Sequence, residues 1–335
     1  MQQHPTEGRT SCAQSPRRPS ASHGTPRREE VPTPDPGAGE VRVRTLLSPI
    51  HNHDLWTIRG SYGFKPELPA RTGSEAVGVI DALGEGVESL AVGQRVAVGG
   101  TFGAWAEYFT APAAGLIPVD EDAADEVAAQ LVAMPFSTIA LLDWLDLNEG
   151  DWIIQNAANG AVGRMLAQLA PTRGINVLGL VRRDAGVEEL SAQGITGVVS
   201  TESAGWQDRV AEITGGAKIV AGIDSVGGDA SNHVLSQLGE EATLVIFGAM
   251  AGGTMALNSG AVIFKNVTIK GFWGSRVMSD LAPKRRGELF TELLTRVADG
   301  TLSLTAEATY PFDQVREAAK ANFVPGRKGK ILLRP

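Results

Sequence analysis

Cysteine is nearly absent from this chain: there is one in 335 residues, Cys12, in a proline- and arginine-rich leader. No intrachain disulfide and no thiolate zinc site can form, and the composition suits a reducing cytoplasm. Long apolar runs are missing as well. None approaches the roughly 18 residues that a membrane span requires, so a soluble protein is expected. Nor is there an excess of base, since 30 lysines and arginines stand against 38 aspartates and glutamates, for a formal charge of −8. Nucleic-acid binding needs concentrated basic surface, so that class is excluded and a small-molecule partner is expected.

Large apolar side chains are scarce in one stretch, residues 1–38, where Pro, Ser, Thr, Arg and Gly dominate; this leader is expected to be disordered. Residues 1–28 carry five arginines against Glu7. That bias suggests an organellar transit peptide, but the prolines and the missing apolar face argue against an amphipathic helix. With 43% apolar residues the remainder can build two hydrophobic cores.

From residue 39 to about 114, short β runs (41–47, 76–82, 95–98 and 105–109) alternate with glycine and proline, which predicts a small barrel-like β domain. The apolar segment 127–147 reads as a helix broken or kinked at Pro135. Beyond Asp151, strands at 175–181, 197–200, 219–224, 242–247 and 267–272 alternate with helices at 187–193, 206–213 and 231–238. Such alternation predicts an α/β fold with a doubly wound parallel sheet. A helix over 286–299 and a closing strand over 329–333 are assigned back to the β domain. The expected division is therefore 39–124 with 273–335 for the β domain and 125–272 for the sheet domain.

The most telling segment follows Asp151. An apolar strand enters the turn Ala158-x-Gly160-x-x-Gly163, which opens directly into a helix. This is a variant of the glycine fingerprint that holds a dinucleotide pyrophosphate, with alanine at its first position. The anion would sit on the helix N-terminus, where free N–H groups and the helix dipole favour negative charge. About 20 residues beyond a fingerprint, an NAD site carries an acid on the ribose hydroxyls; here the second strand ends in Arg182 and Arg183. Taken alone, the pair would merely end a strand in solvent. In this register two guanidiniums suit a 2′-phosphate, so NADPH is the expected cofactor.

The order of parts, together with residues 78–87 (Gly-Val-Ile-Asp-Ala-Leu-Gly-Glu-Gly-Val) and 92–98 (Val-Gly-Gln-Arg-Val-Ala-Val), resembles the medium-chain dehydrogenase/reductase superfamily over nearly all of 39–335. Residues 154–163, 263–273 and the Arg59-Gly-Ser-Tyr-Gly63 loop are similar to its zinc-independent 2-enoyl thioester reductases of fatty-acid synthesis. The resemblance implies a GroES-like β-barrel catalytic domain, a Rossmann domain and a homodimer formed through dinucleotide-domain edge strands such as 267–272. Hydride would pass to an enoyl thioester, a quinone or another activated alkene. By itself a tyrosine in a glycine-rich loop is more often a packing anchor; the resemblance gives Tyr62 the role of acting on the substrate carbonyl or α-proton. It implies cofactor contacts at Asn159, Gly160, Ala161, Val162 and Gly163, at Arg182 and Arg183, at Phe247, Gly248, Ala249 and Met250, at Phe272, Trp273 and Gly274, and at Lys330. Basic residues at the mouth of an acyl site are sought in Arg276 or 284–286. A non-catalytic NADPH-binding protein, like the lens crystallin relatives, is the competitor of another class.

Zinc-dependent members of the superfamily have an early Cys and a Gly-His-Glu; here those positions read His51 and Gly73-Ser74-Glu75. Zinc needs about four N or S donors, or three and a water. His51, His53 and Glu75 fall short, so no metal is expected. Two departures from the family stand out. Met134 replaces an asparagine that touches the cofactor, and the leader stands where an opening strand is usual, so either that strand is expected to be missing or the start of the sequence to be misassigned.

Overall fold

A computed structural model describes residues 9–14 and 27–335. Within the stretch expected to be disordered, β1 (Arg9–Gln14) pairs antiparallel with β2 (Arg27–Pro32). Those two segments therefore have regular structure, and an opening strand is present. A ladder of this kind is held by backbone hydrogen bonds, which a polar composition does not forbid. Residues 33–38 of the same stretch carry no strand or helix, and the rest of that expectation, residues 1–8 and 15–26, lies outside the described residues.

The chain divides into two compact units, one running to Ala133 and resuming over Leu304–Pro335, the other Met134–Ser303. In the first, β3 (Glu40–Pro49) leads into α1 (Asn52–Ile58), followed by β4 (Glu75–Leu83), β5 (Arg95–Gly99), β6 (Tyr108–Pro112), β7 (Ile117–Pro118) and α2 (Asp125–Ala128). Alternation buries Val41, Val43, Ala76, Ile80, Val96, Val98 and Phe109 in one core. The strand expected at 105–109 starts three residues later, because Trp105 is drawn wholly inside and its indole N–H donates to the Pro49 carbonyl at 3.2 Å.

α3 (Ala133–Leu145) begins after a break at residues 129–132, and Pro135 sits in its first turn. There a missing N–H costs nothing, so Pro135 starts a helix instead of kinking one. The second unit continues as β8 (Trp152–Gln155), α4 (Ala161–Leu169), β9 (Asn176–Val181), α5 (Asp184–Ser191), β10 (Val198–Ser200), α6 (Trp206–Thr214), β11 (Ile219–Asp224), α7 (Ala230–Gln237), β12 (Thr243–Ile246), α8 (Ser259–Phe264) and β13 (Thr268–Gly271). These strands form an all-parallel six-stranded sheet in the order β10-β9-β8-β11-β12-β13. Counted from β8 the order is 3-2-1-4-5-6, the doubly wound arrangement. β13 forms one edge, with all four residues exposed.

α9 (Gly274–Asp280) and α10 (Pro283–Ala298) stay with this sheet unit, although the sequence pattern assigned 273 onward to the β domain. Side chains hold them there. Phe290 stacks on Phe136 at 5.3 Å, Glu292 pairs with Arg173 at 2.8 Å, and Leu289 and Leu293 are buried. The return to the first unit comes later, through β14 (Ala306–Pro311), α11 (Val315–Ala321) and β15 (Lys330–Arg334). Its seven-stranded sheet runs β14-β15-β3-β4-β5-β7, with β6 also paired to β3.

Candidate functional site

In a parallel doubly wound sheet the ligand crevice lies outside the carboxyl ends of the strands where the order reverses. Here that point is between β8 and β11. The Asn156 amide joins the two strand ends: its Nδ2 donates to Asp224 Oδ1 at 2.6 Å, and its Oδ1 accepts from the Ser225 N–H at 2.8 Å. Asp224, fully buried, also accepts from the N–H groups of Val226 and Gly227 at 2.9 Å and from the Ser231 hydroxyl. A buried carboxylate with this many donors is held in one orientation and fixes the crevice floor.

The turn after β8 is built by close backbone approach. Ala157 takes a left-handed φ of 50°, and Gly160 caps α4 in an extended conformation. A Cβ on Gly163 would lie 2.7 Å from the Ala157 and Ala158 carbonyl oxygens, so only glycine lets the helix start so close to the strand. The alanine at the fingerprint's first position is accommodated elsewhere: the Ala158 methyl occupies the space beside Gly179, where an added Cβ would approach it to 2.7 Å. Gly163→Val is expected to cost about 3 kcal/mol through forced backbone shifts. Thermal melting checks this, and an unchanged Tm would show that the turn has slack.

Arg182 and Arg183 follow β9 as exposed side chains, and among the described residues neither guanidinium is ion-paired. With Thr201, Glu202 and His233 they line a pocket of about 500 Å³. The adjacent acid, Asp184, is turned to other work: hydrogen bonds from Ser203 and Ser200 hold its carboxyl below the usual range. Phe247, Gly248, Ala249 and Met250 follow β12, with the Phe247 and Gly248 N–H groups donating to the Asp224 carbonyl at 2.8 and 3.1 Å. Phe272, Trp273 and Gly274 follow β13; Phe272 stacks on Phe247 at 5.5 Å and meets Trp144 edge-on at 5.6 Å. Gly274 is pressed against Ser137, leaving no room for a Cβ. The structure thus gathers Asn159 to Gly163, the arginine pair and these two segments on the carboxyl edge of one sheet.

Tyr62 and Lys330 belong to the other unit. The half-buried Tyr62 follows α1, with its N–H on the Trp56 carbonyl at 3.2 Å. Its ring lies on His53 (5.7 Å between centroids), and His53 lies on His51 (4.9 Å). Burial lowers the His51 pKa well below the ordinary value, with the Lys330 ammonium adding to the effect, so the ring is neutral. Lys330 Nζ donates to His51 Nδ1 at 2.9 Å and to the Ile50 carbonyl at 3.3 Å. With Nδ1 accepting, the ring proton sits on Nε2, which donates to Glu75 Oε2 at 2.7 Å. Glu75 Oε1 accepts from the N–H groups of Val132 and Ala133, at the start of α3.

This donor set does not suit zinc. Both His51 nitrogens are committed, the His53 Nε2 is on the Ser74 hydroxyl at 2.6 Å, and a lysine ammonium stands beside them. Among the described residues no cluster of three or more His, Cys, Asp or Glu is placed to hold a metal ion. Of the basic residues considered for an acyl-site mouth, Arg276 lies 3.8 Å from Asp280, Lys284 lies 3.9 Å from Glu288, and Arg285 pairs with Asp143 and Glu288. No helix among the described residues is long and apolar enough to cross a membrane. Sequence reasoning passed over Asp224 and Gly179. An acid ending an apolar strand was the available signal for the first; nothing local marked the second.

Comparison with known proteins agrees with this geometry. Residues 37–121 match the profile of the alcohol dehydrogenase GroES-like domain, and residues 161–288 that of the zinc-binding dehydrogenases. The chain is 30% identical over 300 residues to the human mitochondrial enoyl-[acyl-carrier-protein] reductase, covering 88% of this chain and 80% of that protein. A solved quinone oxidoreductase from Pseudomonas syringae superposes with a TM-score of 0.85 at 25% identity, over 97% of this chain and 100% of that one. A mycobacterial protein solved with NADPH gives 0.82 at 26% identity, again over 97% and 100%.

Proposed function

The chain belongs to the medium-chain dehydrogenase/reductase superfamily as an NADPH-dependent oxidoreductase, and from that premise we propose that it reduces a carbon–carbon double bond conjugated to a carbonyl, with 2-enoyl thioesters of coenzyme A or a carrier protein as substrates and without zinc. The observation that carries the cofactor end is the pocket whose wall is formed by Arg182 and Arg183. Two guanidiniums with no ion pair among the described residues suit a dianionic 2′-phosphate and are wasted on a bare ribose. Gly160 and Gly163 would let a pyrophosphate approach the N–H groups that open α4. Phe247 to Met250 and Phe272 to Gly274 would line the same edge toward the nicotinamide.

Bound there, NADPH would supply a hydride. The chain's own part begins with Tyr62. Reduction at the β-carbon places negative charge on the thioester oxygen, and the phenol hydroxyl stabilises that enolate or delivers the proton to its α-carbon. His53, stacked on the phenol ring, and His51 behind it restrict where the hydroxyl can point. The curated relatives named as enoyl reductases favour the thioester; the solved quinone oxidoreductases favour a second reading, a quinone or enone. Following NADPH absorbance with a medium-chain trans-2-enoyl-CoA and with a quinone separates the two, and the enoyl-CoA is expected to have the higher kcat/KM. Consumption of neither would leave a non-catalytic NADPH-binding protein.

We place the enzyme in a reducing cytoplasm and assemble it as a homodimer through β13, whose exposed edge leaves backbone groups open to a second sheet. Light scattering is expected to give twice the 35.2 kDa chain mass; a monomer at micromolar concentration contradicts the assembly.

A further inference from the structure

Glu75 is completely enclosed, and an uncompensated carboxylate in such a place is strongly disfavoured. Its Oε1 is satisfied by two backbone N–H groups and its Oε2 by neutral His51, which leaves the charge itself to be balanced. The group placed to do so is Lys330, on the far nitrogen of the same imidazole. Part of the Lys330 residue reaches the surface, but its ammonium is held between the Ile50 carbonyl and the buried His51 ring. Sequence, fold and side-chain chemistry meet here: β15 brings Lys330 to His51, the N-cap of α1, and β4 brings Glu75 to its other side.

We propose that the Lys330 ammonium is the resident cation of this centre, compensating Glu75 through His51 where a zinc-binding relative would use a metal, and that it thereby positions the His51–His53–Tyr62 stack. The arrangement has a fixed direction, ammonium to Nδ1 and Nε2–H to carboxylate, so the imidazole cannot turn without breaking two charged hydrogen bonds. Removing the cation alone strands a buried acid; removing both charges does not. Burial pushes the Glu75 carboxyl up to about 7, against the pull of its two backbone donors and of Lys330. Burial likewise brings the Lys330 ammonium down to about 8, with Arg327 adding to the effect and Glu75 and Asp54 opposing it.

The sign of the pH response follows. Without Lys330 the Glu75 pKa rises further. A carboxyl raised in the folded state contributes stability that is present below its unfolded value and lost as pH climbs through the folded one. Lys330→Met is therefore penalised most at pH 8 and relieved toward pH 6. His53, Asp54 and Arg327, which also face the network, are unchanged in every variant and cancel in a comparison.

The test is a thermal double-mutant cycle of Lys330→Met, Glu75→Gln and the double variant at pH 6 and pH 8, with NADPH titrated into each. Lys330→Met is expected to lower Tm by about 10 °C at pH 8 and by clearly less at pH 6. The double variant should melt above the sum of the single shifts and lose that pH dependence. The NADPH Kd should stay within about threefold of wild type. Additive Tm shifts, or a tenfold weaker NADPH affinity in both variants lacking Lys330, overturn the proposal, the latter by making Lys330 a cofactor contact. The positioning of Tyr62 rests on the function proposed above: kcat should drop tenfold or more in Lys330→Met and largely return in the double variant, and a loss that persists in a refolded double variant refutes it. If no substrate turns over, the thermal cycle still decides the charge compensation.

Discussion

Alanine at both Arg182 and Arg183 raises the Kd for NADPH by roughly 100-fold or more and leaves that for NADH within about threefold. Each guanidinium would give charge-assisted, bidentate hydrogen bonds to the 2′-phosphate, worth about 1.5–3 kcal/mol apiece. Neither carries an ion pair within the described residues that the substitution would break, so the fold is not expected to suffer. Asp184, the adjacent acid, is occupied by Ser203 and Ser200 and is not free to take the ribose hydroxyls in their place. Fluorescence titration with both nucleotides reads the outcome. An equal loss for NADPH and NADH would mean that the pair acts on the pyrophosphate or on the fold, and an unchanged NADPH Kd would remove it from the site.

Tyr62→Phe lowers kcat by about 10² to 10⁴ while KM for NADPH moves little. The phenyl ring retains the stack on His53, so the substitution removes a hydroxyl and leaves the packing. Since the enolate charge develops only in the transition state, the loss belongs in kcat. Steady-state kinetics on the enoyl substrate measures it. A variant equal to wild type would return Tyr62 to the role of a packing residue.

Much of the candidate nucleotide site could be proposed from the sequence because it depends on local backbone chemistry. Gly160 and Gly163 announce a close approach, the apolar runs at β8, β9, β11 and β12 are continuous because strands of a parallel sheet are buried on both faces, and Arg182 and Arg183 fall at a fixed distance from the turn. Boundaries were less legible. The polar residues of 9–14 and 27–32 gave no sign of a ladder, and the allegiance of α10 depends on Phe136 and Arg173, more than a hundred residues upstream. The charge network was the least accessible. His51, Glu75 and Lys330 each drew notice for separate reasons, the first two as poor metal ligands and the third as a cofactor contact, but 279 residues separate Lys330 from His51. No periodicity or spacing connects residues joined only by the return of a distant strand. The same holds for Asp224, whose partner Asn156 lies 68 residues away.

The central claim is that this chain delivers hydride from NADPH to the β-carbon of an activated double bond. Transfer from NADPH deuterated at C4 to a trans-2-enoyl-CoA, with the product read by mass spectrometry and NMR, tests it most directly. The account predicts one deuterium at the β-carbon and a solvent proton at the α-carbon. Label at the α-carbon, or an unlabelled, unreduced thioester recovered beside intact NADPH, would contradict it.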